Sequence, residues 1–253
     1  MRINEQSGRA CARRLTMEAF CDLHLHSCLS PCADDEMTPW NMVGMARVKG
    51  LDVIAITDHN SALNAPDAVA AGEAYGVAVI PGMEITSKEE VHPLAYFETL
   101  EDALRMGEEI YAHLPDVQNN AALFGNQLIM RDGDTPSGTV EKLLIAATDL
   151  SADEVCAMVR AHHGLPIPAH ISRGHNGMIG ALGLMPFLPQ YPVVEVASAV
   201  PCPPYATKGR FLLHSSDAHR LEDMQERFFS LEVEQATVKN IIHLLQKKCD
   251  ACE

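Results

Sequence analysis

The most informative residues of this 253-residue chain are histidines and carboxylates that end short apolar segments. The first such segment ends in Asp22-Leu-His24-Leu-His26. Side chains alternate along a strand, so the three polar residues share one face and the leucines occupy the other. Two imidazoles two residues apart can bind one cation, with the carboxylate as a ligand or as a hydrogen-bond partner of a ring. Taken alone, this segment indicates either a metal site or a pair of surface histidines.

The same residue types recur at the ends of later apolar segments. They are Asp58, His59, Glu84, His170, Asp217 and His219, and His92 begins the segment VHPLAYF. Burying so many ionisable groups costs several kcal/mol for each one unless it is paired or coordinates a metal. The whole set therefore predicts a centre of divalent cations held by His, Asp and Glu side chains at strand ends.

Several polar residues near this set are candidates for binding substrate. Arg173 follows His170 by three positions, and a guanidinium can bind a phosphate through two N–H groups. A salt bridge to one of the many acidic side chains is the alternative for Arg173, and the same ambiguity applies to Arg220. His175, on a predicted strand-end loop, and Asn60 are the other substrate-binding candidates, although Asn60 also suits an ordinary turn.

Three residues are predicted to take part in catalysis without ligating metal: Arg173, Asp22 and Asp58. Each aspartate is expected to hydrogen-bond the free ring nitrogen of a metal-bound histidine, which fixes its tautomer. Bound cations would lower the pKa of water from about 15.7 toward about 7, so no Ser or Cys nucleophile is required. A GxxxxGK[ST] phosphate loop is absent from the sequence, which disfavours a nucleoside-triphosphate motor.

The elements that must position these residues alternate in the manner of βα units. Strands are predicted over 19–27, 51–59, 77–86, 91–97, 166–170, 193–198, 210–216 and 228–234. Helices are predicted over 39–49 with Thr38 as N-cap, 66–75, 101–113, 141–150, from a Ser151/Glu154 capping box to about 163, and 236–248. Residues 114–150 are the least regular, and no linker marks a boundary. We expect one α/β barrel over 19–253 after a disordered extension, 1–18, in which Met17 is an alternative start.

Composition limits the class of protein. A hydrophobic content of 47% supports one buried core, and no apolar run reaches the roughly 20 residues of a membrane span. The formal charge of −15 disfavours a stable nucleic-acid complex but permits a small phosphorylated substrate. Eight scattered cysteines predict reduced thiols in a cytoplasm, and Cys249-x-x-Cys252 is interpreted as an inert tail rather than a redox or metal site.

The motifs also resemble a known series. DLHLHS, ITDHN, GMEIT, VHPLAYF, PAHISR and SSDAH occur in the order typical of the polymerase and histidinol phosphatase (PHP) superfamily, from Asp22 to His219. The resemblance implies a distorted (β/α)7 TIM-like barrel with three cations, of zinc, iron or manganese. It assigns His24, His26, Glu84 and Asp217 to the first cation, Glu84 with His92 and His170 to the second, and His59 and His219 to the third.

Cys32 is where this chain departs from the superfamily pattern. Many members have a histidine ligand six positions after the second histidine of the first motif, and Cys32 stands there. Thiolate binds zinc or iron well and magnesium or manganese poorly. Cys32 is therefore predicted to ligate the third cation and bias its identity; otherwise the third site is weak. Cys28 is closer to the strand and is the less suitable substitute.

The resemblance implies a metal-dependent phosphoesterase of the stand-alone bacterial type. We expect a small phosphomonoester substrate, with a nucleoside 3′,5′-bisphosphate or 5′-monophosphate first. Histidinol phosphate, 5′–3′ trimming of short RNA and a non-catalytic metal-binding regulatory module are the alternatives. Hydrolysis of C–N bonds, as in related amidohydrolase barrels, calls for a lysine at a strand end, and the predicted strands have none there.

Overall fold

The computed structural model describes residues 15–186, 191–197 and 200–250. Most of the predicted N-terminal extension, the end of the 193–198 segment and Cys252 lie outside these ranges. Met17 and Glu18 were assigned to the extension, but they belong to the first strand and pair with Val233 and Glu232. The division into one extension and one domain stays a prediction.

The chain forms ten strands and eight helices within the described ranges. The strands are β1 (Met17–Leu25), β2 (Val53–Ile56), β3 (Ala78–Glu84), β4 (Pro93–Tyr96), β5 (Leu128–Arg131), β6 (Thr135–Thr139), β7 (Leu165–Pro168), β8 (Val193–Glu195), β9 (Phe211–Leu213) and β10 (Ser230–Val233). The helices are α1 (Pro39–Lys49), α2 (Ala65–Tyr75), α3 (Leu100–His113), α4 (Ala121–Phe124), α5 (Ala152–Ala161), α6 (Met178–Leu182), α7 (Pro204–Thr207) and α8 (Val238–Asp250). None of these helices is both long and apolar enough to cross a membrane.

Local sequence signals set several helix ends as predicted. The Thr38 hydroxyl accepts a hydrogen bond from the Asn41 N–H at the start of α1, and Gly50 ends that helix with a left-handed φ of 74°. Ser151 and Glu154 form the predicted reciprocal capping box of α5.

The main sheet has six strands in the order β10-β1-β2-β3-β4-β7. Strands β1, β2 and β3 are parallel, whereas β4 is antiparallel to both of its neighbours and β10 is antiparallel to β1. A separate parallel pair, β8 and β9, continues the curve: the Ile171 N–H donates to the Glu195 carbonyl, and Leu25 bridges Ala218. The result is a mixed α/β fold with a curled sheet, consistent with a distorted TIM-like barrel.

The topology is less regular than the strict alternation expected from the pattern. No helix separates β3 from β4, because the connection between Ile85 and His92 is a short loop. Since β4 runs backwards, its first end lies at the edge where the parallel strands finish. His92, which precedes β4, is therefore delivered to the same edge as Glu84, which ends β3.

Both faces of the curled sheet are buried, as expected for parallel strands. Ala55, Leu23 and Ile80 belong to an apolar cluster that includes Ile241 and Leu245 of α8. The alternate positions of the strands belong to a second cluster, shared with α1, α2, α3 and α5. The two clusters hold the strands from both sides and fix where their ends lie.

The predicted helix over 141–150 is wrong. This segment forms turns, because most of its hydrogen-bonded N–H groups donate to distant parts of the chain rather than to carbonyls four residues back. The Leu144 N–H donates to the Gln127 side chain at 2.8 Å, and the Thr148 N–H donates to the Thr86 carbonyl at 2.9 Å. The segment thereby covers the loops at the strand ends.

Candidate metal centre

Glu84 is the centre of the cluster. It ends β3, it is buried, and its two carboxylate oxygens are shared among five imidazoles. Oε1 lies 2.8 Å from His92 Nδ1, 2.9 Å from His170 Nε2 and 3.5 Å from His24 Nε2, and Oε2 lies 3.1 Å from His59 Nδ1 and 3.4 Å from His26 Nε2. One carboxylate cannot be the hydrogen-bond partner of five imidazoles at once, so the arrangement suits divalent cations beside Glu84.

His24 and His26 present their Nε2 atoms to the same point. These atoms are 3.1 Å apart, and they lie 3.4 and 3.3 Å from the Asp217 Oδ1 atom. With Glu84, these three residues form the four donors that the superfamily resemblance assigned to the first cation. Imidazole nitrogen and carboxylate oxygen are ordinary ligands of zinc, iron and manganese.

Among the described residues, three sets of three donors have their ligand atoms within 4.8 Å of one another. The sets are His24, His26 and Glu84; His26, His59 and His219; and His59, Glu84 and His92. His59 thus belongs to two sets, whereas the superfamily resemblance assigned it to the third cation alone. The structure brings the donor atoms together. Which donors would bind which cation stays a proposal.

Electrostatics in the cluster favour cation binding. Burial alone would raise the pKa of Glu84, but His92, His24 and His59 hold it well below its usual value. Burial lowers the pKa of His59, and it lowers that of His219 to about 2, so both rings are neutral, the form that binds a metal. Burial would also lower the pKa of His24, but Glu195 and Glu84 raise it to about 10. A position between these carboxylates therefore attracts a positive charge, and the residues fit divalent cations.

Three strand-end residues of the site have a left-handed backbone. Their φ angles are 50° at Asn60, 25° at His170 and 53° at Asp217. A left-handed conformation is unfavourable for residues other than glycine, by about 1–3 kcal/mol each, and such strain clusters at functional sites. Sharp turns at these positions bring His170 to Glu84, and Asp217 to His24 and His26.

Glu195 is a site residue that was missed in the sequence. Its Oε2 atom lies 2.9 Å from His24 Nδ1 and accepts the His170 N–H at 2.9 Å. It therefore fixes the ring of His24 and the turn that carries His170. The available signal was a carboxylate in the middle of the apolar segment VVEVAS. Ser30, also missed, places its hydroxyl 3.0 Å from His26 Nδ1.

The predicted role of Asp22 and Asp58 is wrong in its detail. Within the described chain, neither carboxylate hydrogen-bonds an imidazole. Asp22 accepts from the N–H and hydroxyl of Ser216 and from the N–H of Gln225, and burial raises its pKa to about 6. Asp58 accepts from Ser27 and Ser30, and so reaches the His26 ring only through the Ser30 hydroxyl. Both aspartates hold the loops that carry the ligands.

A cavity of about 380 Å³ opens over the cluster. Arg173 lines it, is half exposed and forms an ion pair with the Asp217 carboxylate, the partner type foreseen as the alternative to phosphate. The pair leaves the guanidinium at the cavity wall, where a substrate anion could compete for it. Arg173 therefore remains the candidate cation for phosphate binding.

The other three substrate-binding candidates do not line this cavity. Asn60 is fully buried; its amide N–H groups donate to the carbonyls of Leu144 and Ala146, and its Oδ1 accepts from the Thr86 N–H, so the substrate-binding prediction is wrong for it. His175 is exposed, and its neighbour Asn176 lines the cavity instead. Arg220 is exposed, and its Nε lies 3.5 Å from the Asp34 carboxylate. This is the salt bridge that was expected as the alternative to substrate binding.

Cys32 lies at the mouth of the cavity, but it belongs to none of the three donor sets found among the described residues. Burial of the sulfur against the protein raises the pKa of the Cys32 thiol to about 12, and the negative charge of Glu84 contributes to this increase. A bound cation would therefore have to supply the charge that makes a thiolate. Ligation by Cys32 stays a prediction.

If Cys32 ligates a cation, metal should protect it from alkylation and chelation should expose it. We expect iodoacetamide at pH 9 to label Cys32 several-fold faster after chelation, with the buried Cys21 and Cys28 as internal controls. Cys32→His should retain activity and shift metal preference toward manganese. Equal labelling with and without metal would make Cys32 a bystander.

Glu195→Gln should weaken metal binding without preventing it. Glutamine keeps the size but loses the charge that supports the His24 ring, and losses of this kind are about 10- to 100-fold in metal affinity. Competition with a chelating dye measures the dissociation constant, and Glu232→Gln on the exposed face of β10 is the matched control. An unchanged affinity in Glu195→Gln would show that Glu195 does not support the centre.

Comparison with known sequences gives a family match. The family model of the PHP domain matches residues 22–172. The PolC-type DNA polymerase III of Listeria innocua is 38% identical over 106 residues, which is 40% of this chain and 7% of the polymerase. The chain thus spans less than a tenth of the length of this curated relative.

Solved structures share the fold at low identity. A lesion-specific endonuclease Q from Pyrococcus furiosus superposes with a TM-score of 0.64 and 19% identity over 91% of this chain and 56% of the endonuclease. A protein from Bifidobacterium adolescentis, described as a metal-dependent phosphoesterase, gives a TM-score of 0.52 and 20% identity over 81% of this chain and 89% of its own. At these identities the likeness concerns the fold alone.

Proposed function

This chain belongs to the PHP domain family, and we propose that it is a metal-dependent hydrolase that removes the phosphate group from a small phosphomonoester. One observation carries the proposal: a buried carboxylate shared by five imidazoles lies under a cavity whose wall carries a guanidinium. Imidazoles and carboxylates hold cations, and an arginine beside them suits a phosphate.

We propose three divalent cations, of zinc, iron or manganese, held by the histidines and carboxylates of the cluster, with Cys32 as the departure from the family pattern. When bound, such cations activate water at neutral pH and neutralise charge on phosphoryl oxygens. The chain itself holds the ligands in place through Glu195, Ser30 and the two buried aspartates. Arg173 can turn from Asp217 to the substrate phosphate and orient it.

A nucleoside 3′,5′-bisphosphate or 5′-monophosphate is the first substrate candidate. The cavity of about 380 Å³ accepts a small phosphorylated molecule, and the charge of −15 opposes long contact with a polyanion. We therefore keep the prediction of no stable nucleic-acid complex, and the scattered cysteines remain the basis for proposing a cytoplasmic enzyme. The endonuclease Q relative motivates a direct test against DNA.

The test is a substrate panel for protein reconstituted with zinc, iron or manganese. It contains nucleoside monophosphates and bisphosphates, histidinol phosphate, bis(p-nitrophenyl) phosphate, short RNA and duplex DNA with an abasic site. We expect metal-dependent release of inorganic phosphate from a monoester. Cleavage of the diester or DNA alone would replace the proposal with nuclease activity.

Arg173→Ala should lower kcat/KM. The loss should correspond to roughly 2–4 kcal/mol of transition-state stabilisation, the range for removing a charge-assisted hydrogen bond between an enzyme and its substrate. Metal content should be unchanged, because Arg173 donates no electron pair to a cation. Arg220→Ala is the matched control, since Arg220 is exposed and pairs with Asp34. Loss of metal together with activity would show that Arg173 supports the centre rather than the substrate.

A further inference from the structure

A second cavity, of about 420 Å³, lies on the other side of the Arg173–Asp217 ion pair. It shares His170, Arg173 and Asp217 with the cavity over the metal centre. Its remaining wall includes Glu195 and Ser215. A molecule with its phosphate beside Arg173 could therefore extend into this second cavity.

Three residues that line the second cavity each have a buried polar atom without a hydrogen-bond partner in the described chain. These atoms are Ser215 Oγ, Glu195 Oε1 and His170 Nδ1. Their residues are only 7%, 2% and 2% exposed. An unsatisfied buried polar group costs about 1–3 kcal/mol, so three around one cavity indicate a polar occupant.

The chemistry of the three atoms defines that occupant. The Glu195 oxygen accepts a hydrogen bond, the Ser215 hydroxyl donates and accepts, and the His170 nitrogen does one or the other according to its tautomer. Asp223 adds a second carboxylate to the wall. An anion would be repelled and an alkyl group would leave the atoms unsatisfied. A neutral group with adjacent hydroxyls satisfies all three.

We propose that the second cavity binds the hydroxyl-bearing alcohol that a phosphomonoester releases, such as the sugar of a sugar phosphate or nucleotide. This inference rests on the proposed phosphatase function and deepens it. The phosphate lies over the metal centre, and the leaving alcohol places its hydroxyls on Ser215 and Glu195. The enzyme thereby selects polyol phosphates over alkyl phosphates of the same length.

The test compares ribose 5-phosphate with pentyl phosphate in the metal-loaded protein. We expect kcat/KM to favour ribose 5-phosphate at least about tenfold, and Ser215→Ala to reduce this preference about tenfold, as expected when one buried hydrogen bond is removed. Ser137→Ala on the exposed β5–β6 hairpin is the matched control and should keep the wild-type preference. Equal kcat/KM for the two esters, or a preference unchanged by Ser215→Ala, would overturn the proposal.

Binding separates this proposal from the proposed function. If the wild-type protein hydrolyses neither these esters nor any monoester of the substrate panel, the phosphatase assignment fails. Calorimetric titration with the phosphonate analogues of the two esters then still tests the second cavity, because it requires no turnover. Tighter binding of the polyol phosphonate that disappears in Ser215→Ala supports the cavity assignment; equal binding of both phosphonates refutes it.

Discussion

Replacing Glu84 by glutamine should lower kcat/KM by about 10³-fold or more, which is about 4 kcal/mol or more of transition-state stabilisation. The reason is the position of the carboxylate: five imidazole nitrogens lie within 3.5 Å of it. A neutral amide cannot supply the negative charge that divalent cations in this cluster would need. Steady-state kinetics and elemental analysis of dialysed protein measure the effects on activity and on metal content.

The matched control for Glu84→Gln is Glu73→Gln, which makes the same chemical change at an exposed position of α2. This control should keep wild-type activity and metal content. Circular dichroism should show that Glu84→Gln remains folded, because the substitution preserves size within a core that the apolar clusters hold. Full activity of Glu84→Gln at limiting metal would remove Glu84 from the centre.

Removing metal should destabilise the protein by about 4 kcal/mol, the linkage expected for a cation present at about 1,000 times its dissociation constant. The physical source is the buried cluster, in which the facing rings of His26 and His219 have centroids only 4.3 Å apart and their ligand nitrogens lie within 4.8 Å of each other, as cation ligands do. Urea unfolding at pH 7, with manganese or with a chelator, measures the difference.

Two comparisons make the stability measurement specific to the centre. Glu84→Gln should show little dependence of unfolding free energy on metal, whereas Glu73→Gln should match the wild-type protein. A wild-type midpoint that is the same with metal and with chelator would mean that the cluster is held by hydrogen bonds alone.

The strand ends could be predicted because two signals coincide there. The apolar segments that form β1 and β3 end in His26 and Glu84, and both side chains meet at one edge, as alternation and parallel pairing require. The antiparallel direction of β4 could not be predicted, because the apolar pattern of a buried strand does not depend on its direction in the sheet. His92 was nevertheless placed correctly beside that strand, because the residue precedes it.

The errors have a common physical origin in long-range contacts. The segment 141–150 has a helical composition, but its N–H groups find partners more than ten residues away, such as Gln127 for Leu144. Asn60 looked suited to substrate, yet its amide fixes this same segment over the site. Glu195 was missed because one carboxylate in an apolar strand gives no hint of which ring it will meet.

The central claim is that Glu84 and the surrounding imidazoles are a metal centre, and anomalous X-ray diffraction tests it most directly. Crystals equilibrated with manganese and measured at the manganese absorption edge should show peaks bonded to the Glu84 carboxylate. One of these peaks should also lie within about 2.0–2.3 Å of the Nε2 atoms of His24 and His26, the range for first-row cations. Diffraction without any anomalous peak in the cluster, at millimolar manganese and again at millimolar zinc, would contradict the account.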